Sequence, residues 1–142
     1  MKILFLSHPI TIEPDHEESF GAYPPLGLAY MASMLEKQGH EVKIIDSFAE
    51  GIQGKQQRGH KIKIGLKDGS ILSQISEFTP DIVGISNNFT TFHEDAYDLA
   101  VLIKRNFPEI LLVGGGNHMT QEYEKIMDKS YFDMIVRGEG EY

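Results

Sequence analysis

Along this chain the apolar residues change period repeatedly. "KILFLS" (Lys2–Ser7), "EVKIID" (Glu41–Asp46), "DIVGIS" (Asp81–Ser86), "EILLVGG" (Glu109–Gly115) and "DMIVRG" (Asp133–Gly138) are short runs rich in Ile, Leu and Val. Near-continuous apolar runs of that length predict strands buried on both faces. Between them Leu28, Met31, Ala32 and Leu35 fall at i, i+3, i+4 and i+7, and Ala96, Leu99, Ala100 and Ile103 repeat the spacing. Each segment therefore carries one apolar helical face. Ile71, Leu72, Ile75 and Phe78 make a shorter version, and Met119, Tyr123, Ile126 and Met127 a fourth. The predicted order is β-α-β-α-β-α-β-α-β.

The punctuation agrees with that order. Pro25 suits a first helical turn, Gly39 the residue just past a helix end, and Pro80 and Pro108 each separate a helix from the next strand. Strand and helix in alternation imply right-handed crossovers and a parallel sheet covered on both faces. The expected fold is α/β, a Rossmann-like or flavodoxin-like three-layer sandwich with five parallel strands in the order 2-1-3-4-5. In such sheets ligands bind beyond the carboxyl ends of the strands, near the switch in strand order. The loops that matter then follow strands one, three, four and five.

Composition narrows the function classes. With 142 residues, 41% of them hydrophobic, the chain can bury one core, and residues 1–142 read as a single domain. Its apolar runs are strand-sized and "MKILFLSHP" has no signal-peptide pattern, so no membrane span is expected and the cytoplasm is the expected location. The absence of cysteine removes disulfides, zinc–thiolate sites and iron–sulfur ligation from this chain. A net charge of -8 argues against nucleic acid as a partner. One basic stretch, "GIQGKQQRGHKIKIGLK" (Gly51–Lys67), has Lys55, Arg58, Lys61, Lys63 and Lys67 without an acid, and reads as a solvated loop or edge strand.

The loops carry the chemistry. Residues 8–27, after strand one, are long for a connection in a compact α/β unit and point to a functional loop or lid. They contain neither a dinucleotide fingerprint nor a P-loop. A phosphate-accepting receiver domain would end strand three in Asp, where this chain has Ser86. After strand three, "SNNFTTFHED" offers Ser86, Asn87, Asn88, Thr90 and Thr91, a set that suits either a capped polar loop or a ligand rich in amide groups. After strand four come Gly114, Gly115 and Gly116, three positions from which side chains are kept away, followed by Asn117 or Thr120 as helix cap. Strand five runs into "RGEGE" (Arg137–Glu141).

Taken together, "YPPLGLAYMASMLEKQGHEVKIID", "PDIVGISNNFTTFHEDAYDLAVLIKRNFPEILLVGGGNH" and "FDMIVRGEGEY" resemble the N-terminal cobalamin-binding domain of B12-dependent radical SAM proteins. That family includes the anaerobic magnesium-protoporphyrin monomethyl ester oxidative cyclase and many methyltransferases. The resemblance spans nearly the whole chain except Gly51–Lys67. It implies a corrinoid held by the loops at the strand carboxyl ends, with its dimethylbenzimidazole tail threaded into the domain. By the same resemblance Gly114 and Gly115 match the glycine pair beside that tail, and Ser86 with Thr90 or Thr91 the polar loop beside it. The cofactor-binding set it implies is Tyr23, Pro24, Pro25, Gly27, Ser86, Asn87, Asn88, Thr90, Thr91, Gly114, Gly115, Gly116, Asn117, Gly138 and Glu139, with no catalytic and no metal-ligating residue.

Two departures from related patterns bear on mechanism. Cobalamin domains of the methionine synthase type carry Asp-x-His-x-x-Gly after the first strand, whose His replaces the tail base below cobalt. Here "DHEESFG" (Asp15–Gly21) places His directly after Asp. His8, His16 and His93 lie in the right loops, and the expectation is that none coordinates cobalt. Second, the radical chemistry of the resembling family needs a three-cysteine cluster site in a following barrel, so S-adenosylmethionine and a 4Fe-4S cluster are expected only in a parent protein with a downstream radical SAM domain. The chain then reads as an excised domain or a natural stand-alone version. Two other readings compete: the N-terminal half of a nucleotide-sugar glycosyltransferase, in which "LAYMASMLEKQGHEV" (Leu28–Val42) would fit, and a degenerate corrinoid fold that only docks partners.

Overall fold

The computed structural model describes residues 1–140. Its strands are β1 (Lys2–Ser7), β2 (Ile10–Ile12), β3 (Glu41–Asp46), β4 (Lys55–Arg58), β5 (Lys61–Ile64), β6 (Ile82–Ser86), β7 (Leu111–Gly115) and β8 (Met134–Ile135). The helices are α1 (Leu26–Lys37), α2 (Ser47–Glu50), α3 (Asp68–Phe78), α4 (His93–Asn106), α5 (Asn117–Gln121) and α6 (Tyr123–Asp128), with 3-10 segments at Pro14–Ser19 and Thr90–Phe92.

Five strands form one sheet in the order β3-β1-β6-β7-β8, every neighbouring pair parallel. Renumbered over the five predicted strands, this is 2-1-3-4-5, the order expected from the alternating pattern. The sheet is covered on both faces because its strands are apolar on both. In β1, Leu4 and Leu6 pack with Ile71 and Ile75 of α3 and Leu99 and Ile103 of α4, while Ile3 and Phe5 turn to the opposite face and meet Leu28 and Ala32 of α1. Alternation of side chains across the strand sends consecutive residues to different layers.

The punctuation is close to the expectation. Gly39 follows α1 with φ +86°, the left-handed turn that ends a helix, whereas Pro25 is the residue capping α1 and not part of its first turn. Two other elements differ more. The predicted fourth helix is broken at Glu122 into α5 and α6, and the fifth strand is only Met134–Ile135. That short strand is pinned by the Asp133 carboxylate, which accepts from the Leu112 N–H (2.7 Å) and from Lys104 Nζ (2.8 Å). Burial acts to raise the Asp133 pKa, but the hydrogen bonds from Lys104 and the Leu112 N–H outweigh it and hold the carboxyl below its usual value.

The main addition to the predicted architecture is a three-stranded antiparallel ribbon in the order β2-β5-β4. It takes in part of the long first loop and the basic stretch, so Gly51–Lys67 holds two strands, of which β4 lies on the ribbon's edge. Ile10, Ile12 and Ile64 turn inward onto Phe92, and Lys63 beside them pairs with Asp68 at the start of α3 (3.2 Å). A polar clamp joins the ribbon to α4. The carboxylate of Asp95, buried in α4, accepts from the Thr11 N–H (2.7 Å), the Thr11 hydroxyl (2.6 Å) and Arg58 Nη1 (3.3 Å). Arg58 also pairs with Asp98.

Candidate functional site

The register of the sheet lines up one residue from each of four adjacent strands at its carboxyl end: Asp46, Ser7, Ser86 and Gly115 are successive partners across β3, β1, β6 and β7. The Ser7 hydroxyl donates to Asp46 Oδ1 at 2.7 Å, closing the β3 side of this edge. The loops after β6 and β7 rise from the other side and are stitched together. The Asn87 N–H donates to the Gly115 carbonyl (2.9 Å), the His118 N–H to the Asn87 carbonyl (3.2 Å), and the Asn117 N–H to Asn88 Oδ1 (3.2 Å).

The three glycines at this edge have different surroundings. A Cβ on Gly114 would lie 2.6 Å from Ile135 Cδ1 and 3.2 Å from the Phe132 ring, so its bareness is taken up by the protein's own core. Gly116 has φ +99° and ψ 174°, a conformation open essentially to glycine alone, and its Cβ would lie 2.6 Å from the Asn87 carbonyl oxygen. Gly115 has nothing within 4 Å of the Cβ position and faces open space.

Beside Gly115 sits Asn87, only 1% exposed. Its Oδ1 accepts from the Phe89 N–H at 3.2 Å, but its buried Nδ2 has no partner. An orphaned amide donor in a protein interior costs free energy until an acceptor reaches it. Ser86 is half-buried at the end of β6, whereas Asn88, Thr90 and Thr91 are exposed above it. Phe89, 66% exposed, projects from the same loop, and Phe92 beneath it takes the edge of Phe20 at a ring distance of 5.7 Å, bringing the first loop to the third.

The first-loop candidates lie on the surface. Tyr23 is 82% exposed, Pro24 and Gly27 are exposed, and Pro25 is half-buried at the start of α1. Asn117 opens α5. Gly138, with φ +76°, donates its N–H to the Thr120 hydroxyl at 3.0 Å, which draws the end of the chain to α5, and Glu139 next to it is exposed. Glu141 lies outside the described residues. The three loop histidines do not converge. His8 is buried with Nδ1 donating to the Pro9 carbonyl (2.7 Å), His16 is exposed in the first 3-10 turn, and His93 Nδ1 donates to the Thr90 carbonyl (2.6 Å).

A fourth histidine, absent from the residues singled out in the sequence, is the most connected. His118, 3% exposed, holds Nε2 2.8 Å from the Tyr97 hydroxyl and Nδ1 3.1 Å from Thr90 Oγ1. Burial and the nearby His93 push its pKa below the usual histidine value, against the opposing pull of Glu122. Tyr97 is pushed up to about 12 by burial, Glu122 and Tyr131, and its ring stacks on Tyr131 at 4.7 Å. The available signal was position: "GGGNH" places this histidine two residues past the glycine that must turn.

The arrangement offers one buried amide donor, Asn87, and a rim of exposed or half-buried amides and hydroxyls around an open backbone, a lining that suits a ligand rich in amide groups. Among the described residues no three His, Asp or Glu side chains converge as a metal site, and no helix is long and apolar enough to cross a membrane.

Comparison with known proteins bears on this edge. The B12 binding domain family matches residues 17–142. Cytidylyl-2-hydroxyethylphosphonate methyltransferase from Streptomyces wedmorensis is 38% identical over 120 residues, which are 82% of this chain and 22% of that protein. Anaerobic magnesium-protoporphyrin IX monomethyl ester cyclase from Synechocystis sp. is 28% identical over 121 residues, 83% of this chain and 21% of that protein. Among solved structures, a cobalamin-binding protein from Desulfitobacterium hafniense DCB-2 shares the fold with a TM-score of 0.61 at 18% identity, covering 95% of this chain and 52% of that one. The chain spans about a fifth of the length of the curated relatives it matches.

Proposed function

This chain belongs to the B12-binding domain family, and from that premise we propose that cobalamin is received at the carboxyl edge of the sheet, between the loops 86–92 and 114–120. The observation that carries the reading is the pairing of an orphaned buried donor, Asn87 Nδ2, with the open Gly115 backbone at the end of β7. A corrinoid nucleotide tail supplies acceptor atoms and a flat base, and these residues fit both. Ser86, Asn88, Thr90, Thr91 and Asn117 add donors around the opening, and Gly116 supports the turn that brings the two loops together. Gly114, filled by Phe132 and Ile135, acts on the site only through the packing of β8. Tyr23, Pro24, Pro25 and Gly27 would meet the exposed rim of the cofactor, and Gly138 and Glu139 the edge nearest Thr120.

Bound there, cobalamin would supply a cobalt centre able to carry a methyl group. In this reading the chain's own residues bind and orient the cofactor, and no bond chemistry and no cobalt ligation is assigned to any of them, the three loop histidines included. For the whole protein, acting in the cytoplasm, we propose a B12-dependent radical SAM methyltransferase or oxidative cyclase, with S-adenosylmethionine and a 4Fe-4S cluster held by a downstream domain. Mixing the protein with hydroxocobalamin and scanning the visible spectrum tests the reading: shifted corrin bands with saturable titration are expected. An unshifted spectrum at high protein concentration would leave the fold as a docking module.

A further inference from the structure

We infer that Tyr97 and His118 form a hydrogen-bond relay fixing the Thr90 hydroxyl as an outward-facing donor, so that this loop selects for an acceptor atom on the corrinoid's nucleotide tail. The inference rests on the cofactor site proposed above and adds residues to it that act through Thr90. A neutral imidazole has one donor and one acceptor nitrogen. Tyr97, with its pKa near 12, keeps its proton at neutral pH, and the His118 Nε2 at 2.8 Å is the partner its hydroxyl reaches. If the phenol accepted from Nε2 instead, its own proton would have no acceptor among the described residues; as donor to Nε2 it places the single imidazole proton on Nδ1. Nδ1–H then donates to Thr90 Oγ1 at 3.1 Å, and the Thr90 proton is left to point away from the histidine.

Geometry fixes each member of the chain. Tyr97 is held by stacking on Tyr131, His118 by burial and by its own N–H on the Asn87 carbonyl, and Thr90 by the bond from His93 to its carbonyl. The charged and titratable groups facing His118 are His93 and Tyr97 from α4 and Glu122 beyond α5. Thr90 itself is exposed, three residues beyond Asn87 with its orphaned amide donor, so the relay gives this loop a second directed donor.

The tautomer of His118 in the free protein, read by long-range proton–nitrogen correlation NMR, tests the relay without any ligand: protonated Nδ1 is expected, and protonated Nε2 overturns it. Affinity for hydroxocobalamin tests the selection. Thr90→Val should weaken binding about five- to tenfold, the loss of one hydrogen bond. His118→Asn, whose amide nitrogen can stand where Nδ1 stood, should stay within roughly threefold of wild type. His118→Gln, which reaches toward Tyr97 instead, should fall with Thr90→Val. Equal affinities of the two amide variants, each confirmed folded by circular dichroism, would refute the directional role. A wild-type protein that leaves the hydroxocobalamin spectrum unshifted refutes the cofactor site and the ligand half of this inference together, while the tautomer decides the relay by itself.

Discussion

Gly114, Gly115 and Gly116 are consecutive and chemically identical, yet a substitution at each meets a different obstacle: the protein's own side chains, open space, and a backbone conformation with a carbonyl close by. This separates binding from stability. Gly115→Val places a β-branched residue in a strand where it is conformationally welcome, so its thermal midpoint should stay near that of wild type while hydroxocobalamin binding is lost. Gly116→Ala should instead cost roughly 1–3 kcal/mol of stability, because the new methyl meets Asn87 in a conformation side chains avoid. Unaltered affinity of Gly115→Val in a titration would remove the cofactor from this edge. His118 gives a prediction in pH. Its pKa is lowered in the folded chain, so unfolding takes up a proton as it returns to about 6.5. The stability tied to neutral His118 is complete above that value and drains away as pH falls from there toward the folded pKa. Thermal melts of His118→Asn should show a shallower decline across that window than wild type, and parallel profiles would show that His118 is not the group responsible.

At the scale of elements, the strands of the main sheet were legible because burial on both faces leaves short apolar runs that little else produces. The boundaries of β1 and β3 agree with the sequence reading to the residue. What escaped notice depends on long-range partners. β2 is three residues long, and within the basic stretch, read as a solvated loop or edge strand, β4 is "KQQR", a polar run that only its pairing with β5 makes a strand. The break between α5 and α6 escaped for a related reason: Met119 and Ile126 are both buried, so the apolar periodicity carries on across a backbone that does not. His118 was missed because a histidine in a glycine-rich turn shows nothing of Tyr97, 21 residues earlier, until the two loops meet. The clamp on the ribbon has a measurable weight. Asp95→Ala leaves the Thr11 N–H and hydroxyl without their acceptor and should cost about 1–3 kcal/mol in chemical denaturation. Leu99→Ala, a truncation in the main core, should cost about 2–5 kcal/mol. An Asp95→Ala variant as stable as wild type would show that water supplies the acceptor the clamp loses.

For the whole molecule, sheet order sets which edge can bind, since a parallel sheet with strands leaving in opposite directions from β1 opens at the carboxyl ends of β1 and β6, and the proposed site lies one strand along, between the loops after β6 and β7. The ribbon obeys a different logic, with a consequence for how the chain folds. β2 and β5 are neighbours in space but are separated in sequence by α1 and β3, so their pairing encloses a long segment that must itself find a place first. Closing so large a loop costs entropy before any contact returns it, and the ribbon should therefore assemble on the downhill side of the folding barrier, after β3 has docked beside β1. In stopped-flow experiments Asp95→Ala should then leave the refolding arm of the chevron in place and raise only the unfolding arm, a φ-value near zero. Slowed refolding would instead make the ribbon part of the folding nucleus.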